Sequence, residues 1–180
     1  MMRLTQKRLS DYPWHVRLFF WLQKRKFGFV LNPNWLWGRR PKMMYAMALF
    51  YNSVEKNSSV PPVIRSLVTV YTSQINSCSF CIDMNSALLM ERLEQSEKLD
   101  QLHQWQGSKL FTDQEKAALN YTEAMTYTDK EVSEQIYNQL KQYFNEDQIL
   151  DLTALIAFQN LSSKFNNALD VKEQGFCRRL

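Results

Sequence analysis

Glycine is scarce, with 4 in 180 residues, and no Asn-Gly or Asp-Gly pair occurs. The tight hairpin turns that need positive φ are therefore poorly supplied, which argues against an all-β fold. Histidine and cysteine are also few, 2 and 3 residues. Three cysteines do not make a disulfide-stapled secreted domain. So few soft ligands leave a zinc or iron site without its donors, and no metal is expected. No apolar run approaches the roughly 20 residues of a membrane span. The apolar stretch Leu18 to Leu22 is too short for a signal peptide, and no small-residue cleavage site follows it. Gly-rich phosphate loops are missing, as are carboxylate pairs at a catalytic spacing. These absences imply a soluble protein of a reducing compartment, cytoplasmic, without a cofactor.

What the chain has is aromatic residues, methionine and a lopsided charge. Met, Phe, Tyr and Trp number 8, 11, 8 and 5. Residues 1–60 carry Arg3, Lys7, Arg8, Arg17, Lys24, Arg25, Lys26, Arg39, Arg40, Lys42 and Lys56 against only Asp11 and Glu55. A basic, aromatic segment can meet a membrane, a nucleic acid or a subunit interface. Trp14, Phe19, Phe20 and Trp21 nearly encircle a short helix, which suggests burial on more than one side. A membrane-surface helix would split into one apolar and one basic face. The expectation is packing on the bundle or a neighbouring subunit, with no membrane and no nucleic acid.

Helical periodicity runs through the whole chain. Tyr12 to Lys26 reads as a helix with Trp14, Leu18, Trp21 and Leu22 at helical spacing, ended by Gly28. Asn32-Pro33-Asn34 reads as a turn. Pro41 opens a helix to about Glu55 carrying Met43, Met44, Met47 and Phe50, with the methionines expected in the core. Asn57-Ser58-Ser59 breaks it. Pro62 to Ile75 is the next helix, and Cys78 to about Leu93 the one after. A short helix is expected from Glu94 to Trp105, then a loop at Gly107-Ser108. Thr112 and Glu115 form a capping box for a helix to about Tyr127. Thr128-Asp129 is expected to cap a helix through Tyr143. Asn145 caps a last helix to about Val171, with Ile149, Leu152, Ile156, Leu161 and Phe165 on its apolar positions. The fold class is all-α, a helical bundle in a single domain over residues 1–180.

Cys78-Ser79-Phe80-Cys81 carries the chemistry. Residues three apart at a helix start share one face, so the two sulfurs can meet. A helix N-terminus favours the thiolate, which is the nucleophile. On that ground alone Cys78, nearer the N-terminus, is the more acidic thiol. Cys177 stands alone near the C-terminus and is expected to stay free. Asp83 and Glu91 lie on the cysteine helix as substitute bases or plain surface charges. Tyr71, seven residues before Cys78, is either a neighbour of the dithiol or a packed helix residue. His15 and His103 sit at no motif spacing and read as surface or packing residues.

The run from Ile64-Arg65-Ser66-Leu67-Val68 through Ser73-Gln74-Ile75-Asn76-Ser77-Cys78-Ser79-Phe80-Cys81-Ile82-Asp83-Met84-Asn85 resembles the alkylhydroperoxidase D-like branch of the carboxymuconolactone decarboxylase superfamily. Gly38-Arg39-Arg40-Pro41, Phe111 to Ala118 and Thr153 to Leu169 are similar to its other helices. The resemblance covers residues 38–171 and leaves 1–37 as a basic aromatic extension. It implies an all-helical fold, homo-oligomers, and thiol peroxidase or disulfide reductase activity. The implied substrate is a hydroperoxide or a protein disulfide, and the implied partner a thiol reductant protein. By the same resemblance Cys81 attacks the peroxide and Cys78 resolves the sulfenic acid. Two relay positions depart from the family: its histidine is Asn85 here and its glutamate is Ser66. The glycine before the first cysteine is Ser77. Without a titrating relay a peroxidase should be slow, since such help is typically worth about 10²–10⁴ in rate. The other reading is a redox-sensing or non-catalytic oligomeric scaffold of the same fold.

Overall fold

The structure, a computed structural model, describes residues 2–56, 58–93 and 97–177. Among these residues it holds nine α-helices, two single 3₁₀ turns and no strand. The helices are α1 (Trp14–Phe27), α2 (Asn32–Trp37), α3 (Pro41–Lys56), α4 (Pro62–Ile75), α5 (Ser79–Met90), α6 (Glu97–Asp100), α7 (Asp113–Thr126), α8 (Glu134–Lys141) and α9 (Glu146–Ala168).

Helix α4 is the axis. It starts at Pro62, where a missing amide costs nothing, and packs against α5, α7 and α9. Every residue from Ile64 to Ser73 is buried. On one side Ile64 and Val68 meet Ala117 and Tyr121 of α7 and Leu152, Leu155 and Ile156 of α9. On another, Leu67, Val70 and Tyr71 meet Leu89, Leu102, Trp105 and Leu119. Two capping boxes hold the later helices in place: Thr112 with Glu115 on α7, and Asn145 with Gln148 on α9. Each satisfies two of the helix's otherwise orphaned amides.

The N-terminal layer is laid on this bundle by aromatic contacts. Tyr12, Val16 and Phe20 form a cluster with Met44 of α3. Tyr12 donates its hydroxyl to the Trp35 carbonyl at 2.7 Å. Gly38 makes the close approach possible, because a Cβ there would lie 2.8 Å from the Phe20 ring and 2.9 Å from the Asn34 carbonyl. Trp37 of α2 stacks on Phe165 of α9 with ring centroids 3.8 Å apart.

Several elements differ from the sequence expectations. Asn32-Pro33-Asn34 is the first turn of α2, because a proline within the first two positions starts a helix as readily as it marks a turn. Ser133, not Thr128-Asp129, caps α8, accepting from the Ile136 amide. The expected Glu94–Trp105 helix is a short α6 and a 3₁₀ turn at Leu102–Gln104, with 94–96 outside the described residues, as is Asn57. Of the α3 methionines only Met44 is core; Met43 is half exposed and Met47 intermediate. Leu161 is exposed, although it follows the spacing of its apolar neighbours. On α1 the stripe Trp14, Leu18, Trp21 and Leu22 faces outward, while Val16 and Phe20 face the bundle. The helix thus buries one side within this chain, not several.

Candidate active site

The dithiol sits where α4 hands over to α5. Helix α4 ends with Asn76 and then Ser77 at a φ of +51°. The Ser77 amide donates to Gln74 and the Cys78 amide to Ser73, the two bonds of a Schellman closure. That closure needs a left-handed residue, which glycine adopts freely and serine does not. The next residue, Cys78, is the N-cap of α5. Its sulfur accepts from the Cys81 amide at 3.3 Å, where a serine or aspartate oxygen usually serves. The sharp corner therefore puts one sulfur at a helix N-terminus and the other one turn on.

Both sulfurs are enclosed, Cys78 1% and Cys81 2% exposed, among Leu36, Phe80 and Val171. Both are reduced, and so is Cys177. The two thiols share one proton unequally. The Cys81 thiol is pulled down to about 7 by the hydrogen bond from Cys78, against burial and with help from Asn166, Ser163 and Ser162. Cys78 is pushed up by that same bond, by burial and by the Cys81 charge. Helix electrostatics alone favours Cys78, yet the hydrogen bond from Cys78 to Cys81, helped by donors on α9, reverses the order. The arrangement favours the thiolate on Cys81 over that on Cys78.

Residues of α9 missed in the sequence add to this preference. Asn166 donates its Nδ2 to Cys81 Sγ at 3.3 Å. Gln159 donates to Ser163 Oγ at 2.8 Å and to Ser73 Oγ at 3.1 Å. With its oxygen accepting from Gln159, Ser163 has its hydroxyl hydrogen free to turn to Cys81. Asn85 donates to Ser73 Oγ and to Gln159 Oε1, both at 3.1 Å, and makes no hydrogen bond to either sulfur among the described residues. A buried chain Asn85–Gln159–Ser163 thus backs the dithiol, and none of its members titrates near neutrality.

Ser66 belongs to a different cluster. Its Oγ accepts from Arg92 at 2.9 Å, and Arg92 in turn pairs with Glu55. Arg65 lies 3.4 Å from the same carboxylate. Ser66 and Asn85 are therefore not joined as a relay. Tyr71 turns away to Glu123 at 2.6 Å and packs edge-on against Trp105. Glu91 is exposed. Asp83 is no base for the sulfurs, since its carboxylate accepts the amides of Gln174, Phe176 and Cys177 at 2.9, 3.1 and 3.0 Å. Burial works to raise its pKa, but those amides outweigh it and hold the carboxyl below its usual range. The C-terminal strap so fixed lays Phe176 on Phe80. His15 meets the Tyr45 hydroxyl and His103 is exposed, both far from any role at the dithiol in the pattern of contacts. No cluster of three or more His, Cys, Asp or Glu able to hold a metal occurs among the described residues. No helix among them is long and apolar enough to cross a membrane.

This geometry has relatives. Residues 41–124 match the carboxymuconolactone decarboxylase family. The uncharacterized protein YnjA of Escherichia coli (strain K12) is 40% identical over 171 residues, 94% of each chain. The alkylhydroperoxidase AhpD core structure of an uncharacterized peroxidase-related protein from Ralstonia eutropha JMP134 superposes with a TM-score of 0.85 at 22% identity, covering 96% of this chain and 92% of that one. The debrominase Bmp8 superposes with a TM-score of 0.83 at 19% identity, covering 97% and 94%. The chain belongs to the carboxymuconolactone decarboxylase family and has the alkylhydroperoxidase D-like fold.

Proposed function

We propose that this alkylhydroperoxidase D-like chain is a thiol–disulfide oxidoreductase that reduces hydroperoxides slowly or exchanges disulfides with a protein partner. The observation that carries the reading is the asymmetry of the dithiol, in which Cys81 receives the Asn166 amide and the Cys78 proton. The Cys81 thiolate attacks the terminal peroxide oxygen, the O–O bond breaks, and the leaving oxygen takes a proton to become an alcohol. Cys78 then attacks the Cys81 sulfenic acid, giving a disulfide and water. A thiol reductant protein restores the dithiol by exchange. The chemistry fits a reducing, cytoplasmic compartment, where such a disulfide is transient.

The neutral surroundings set the pace. Asn85 and Ser66 hold hydrogen bonds but cannot shuttle a proton, so turnover is expected to be low. The outward stripe of α1 supports a homo-oligomer, since large apolar residues at a subunit interface are its usual cover. The test is hydroperoxide consumption with dithiothreitol as reductant, read together with peptide mass spectrometry. In protein freed of reductant and given one equivalent of hydroperoxide, the expected product is a linked Cys78–Cys81 peptide with Cys177 free; Cys81→Ser abolishes consumption, and Cys78→Ser stops at the Cys81 sulfenic acid. A dominant Cys81–Cys177 link, or a dithiol inert to peroxides and disulfides alike, rejects the reading in favour of a scaffold.

A further inference from the structure

The N-terminal layer carries cations that the chain does not neutralise. Lys7, Arg39, Arg40 and Lys42 form no ion pair among the described residues. Asp11, the only acid of residues 1–54, pairs with Arg8, and Asp170 pairs with Lys172. Helix α3 begins at Pro41, between Arg40 and Lys42, with no acid in its first turn. The positive end of its dipole therefore adds to the same field. Like charges gathered in this way repel one another, and a bound anion relieves the repulsion.

These cations surround an apolar recess of about 300 Å³. Its buried and half-buried apolar walls are Leu36, Trp37, Phe165 and Leu169, while Leu4, Lys7, Arg40 and Met43 line it from the exposed side. Two bonds pin the N-terminal segment over it: Arg39 Nη1 donates to the Thr5 carbonyl at 3.0 Å, and the Arg3 amide donates to the Leu169 carbonyl at 3.0 Å. A second cavity, of about 510 Å³, shares Arg39, Arg40 and Met43 with the first and adds Lys42, His15 and Tyr45. No Asp or Glu lines either cavity. The recess touches the cysteine cluster through Leu36, Phe165 and Leu169, but neither cysteine lines it, so it is separate from the dithiol. Apolar walls with a few convergent charges are the make-up of a small-molecule pocket.

We infer that this recess binds a free single-chain amphiphilic carboxylate, its chain against Trp37, Phe165 and Leu169 and its head group between Arg40 and Lys7. The Arg40 side chain makes no hydrogen bond among the described residues, and a guanidinium fork matches a carboxylate with two parallel bonds. Arg39 spends one nitrogen on Thr5 and keeps its charge for the same anion. The space decides the tail. Cavities near 150 Å³ already hold benzene, so this one has room for a chain of about ten carbons. The paired long tails of a membrane lipid do not fit. The direction of insertion also separates the two: a membrane-binding patch pushes its own apolar side chains into lipid. Here the apolar space is recessed between the N-terminal segment, α2 and α9, so the ligand's chain enters the protein. The site is independent of the peroxide chemistry and gives the basic N-terminal layer a ligand of its own.

Charge and chain are tested separately. Sodium octanoate is titrated into the full chain and followed by calorimetry and saturation-transfer NMR. Binding is expected, weakening as salt is raised. The neutral 1-octanol keeps the chain and loses the charge, and should bind roughly tenfold more weakly. Acetate keeps the charge and loses the chain, and should show no saturable binding. Arg40→Glu reverses an exposed charge and should weaken octanoate roughly tenfold or more. Met43→Glu sets a carboxylate on the wall that both cavities share, at a residue 50% exposed, and should weaken it comparably, which keeps the test open if the first variant misfolds. Octanol binding as tightly as octanoate, or full affinity in a folded Arg40→Glu or Met43→Glu, overturns the assignment. So does a chain that ignores octanoate yet co-sediments with vesicles of phosphatidylglycerol and phosphatidylcholine, which makes the basic layer a membrane surface instead.

Discussion

Helices α4 and α1 are both 14 residues long, and they distribute polarity in opposite ways. Helix α4 buries Arg65, Ser66, Thr69, Thr72 and Ser73. Helix α1 exposes Trp14, Leu18, Trp21 and Leu22, at 72, 49, 51 and 52%. Buried polar groups are costly unless paired, and the hydroxyls of α4 are paired: Thr69, Thr72 and Ser73 donate back to carbonyls three or four residues earlier, whereas Arg65 Nε makes no hydrogen bond among the described residues. Ser73 then also accepts from Asn85 and Gln159. The polar content of α4 is thus satisfied inside the chain, Ser73 beside the dithiol and Arg65 and Ser66 at the Glu55–Arg92 pair. About half of the apolar content of α1 faces outward, uncovered by the described residues, and it is the surface on which we propose a second copy of the chain packs. One helix turns its polar groups to contacts inside the molecule, and the other turns large apolar groups away from it.

The largest effect that would sharpen this contrast concerns the α4–α5 side. Asn85→His together with Ser66→Glu should raise hydroperoxide turnover by roughly 10², the low end of general acid–base help. The two should be strongly non-additive, because a relay acts as a unit. Glu at 66 must also compete with Glu55 for Arg92, so Ser66→Glu alone should do little. A wild type that is already fast, and slowed by the pair, would show that another acid–base group is in charge. On the α1 side, Leu18→Glu with Trp21→Glu should break a homo-oligomer, since central aromatic anchors typically carry about 2 kcal/mol or more. Size-exclusion chromatography with light scattering should then report a smaller species with unchanged helix content. Intact assembly, with wild type co-sedimenting with anionic vesicles, would replace the subunit by a membrane.

Smaller effects follow from single bonds. Asn166→Ala removes one donor to a charged sulfur, worth about 1.5–3 kcal/mol, and should move the reactivity of Cys81 to higher pH by about one unit or more. The sign follows from the loss of anion stabilisation: less thiolate at any pH near neutrality. Iodoacetamide labelling rates across pH, read peptide by peptide, check it. Ser77→Gly should stabilise the fold by about 0.5–1 kcal/mol, because serine at a φ of +51° carries a left-handed strain that glycine lacks. For a chain of this size that is about 2–4 °C per kcal/mol in Tm.

Much of the fold was legible because local signals agreed with the global one. The Pro61-Pro62 start and Ile75 end of α4 coincide with the structure, as do the Thr112 and Asn145 caps. Asn32-Pro33-Asn34 was misread because the same residues begin helices and make turns. Which face of α1 turns to the bundle was not legible, because periodicity reveals an apolar face without saying whether the same chain covers it. At the site, the dithiol and its corner were legible from spacing alone, whereas the partners of Cys81 were not. A signal did exist: Gln159, Ser163 and Asn166 continue the buried stripe of Leu152 and Ile156 on α9. Polar residues standing where an apolar period requires apolar ones point to a buried hydrogen-bonded site. Asn85 drew attention through its position in the motif, yet the sulfur's amide donor comes from the far end of the chain, which only the packing of α5 on α9 brings near.

The asymmetry between the two cysteines is tested most directly by trapping the sulfenic acid. Cys78→Ser and Cys81→Ser are each treated with one equivalent of hydroperoxide in the presence of dimedone across pH 6 to 9, roughly spanning the range in which thiols titrate, and the adduct is located by mass spectrometry. The account predicts an adduct on Cys81 in Cys78→Ser, rising with pH, and none on Cys78 in Cys81→Ser. An adduct that forms faster on Cys78 would contradict it and return the nucleophile to the helix N-terminus.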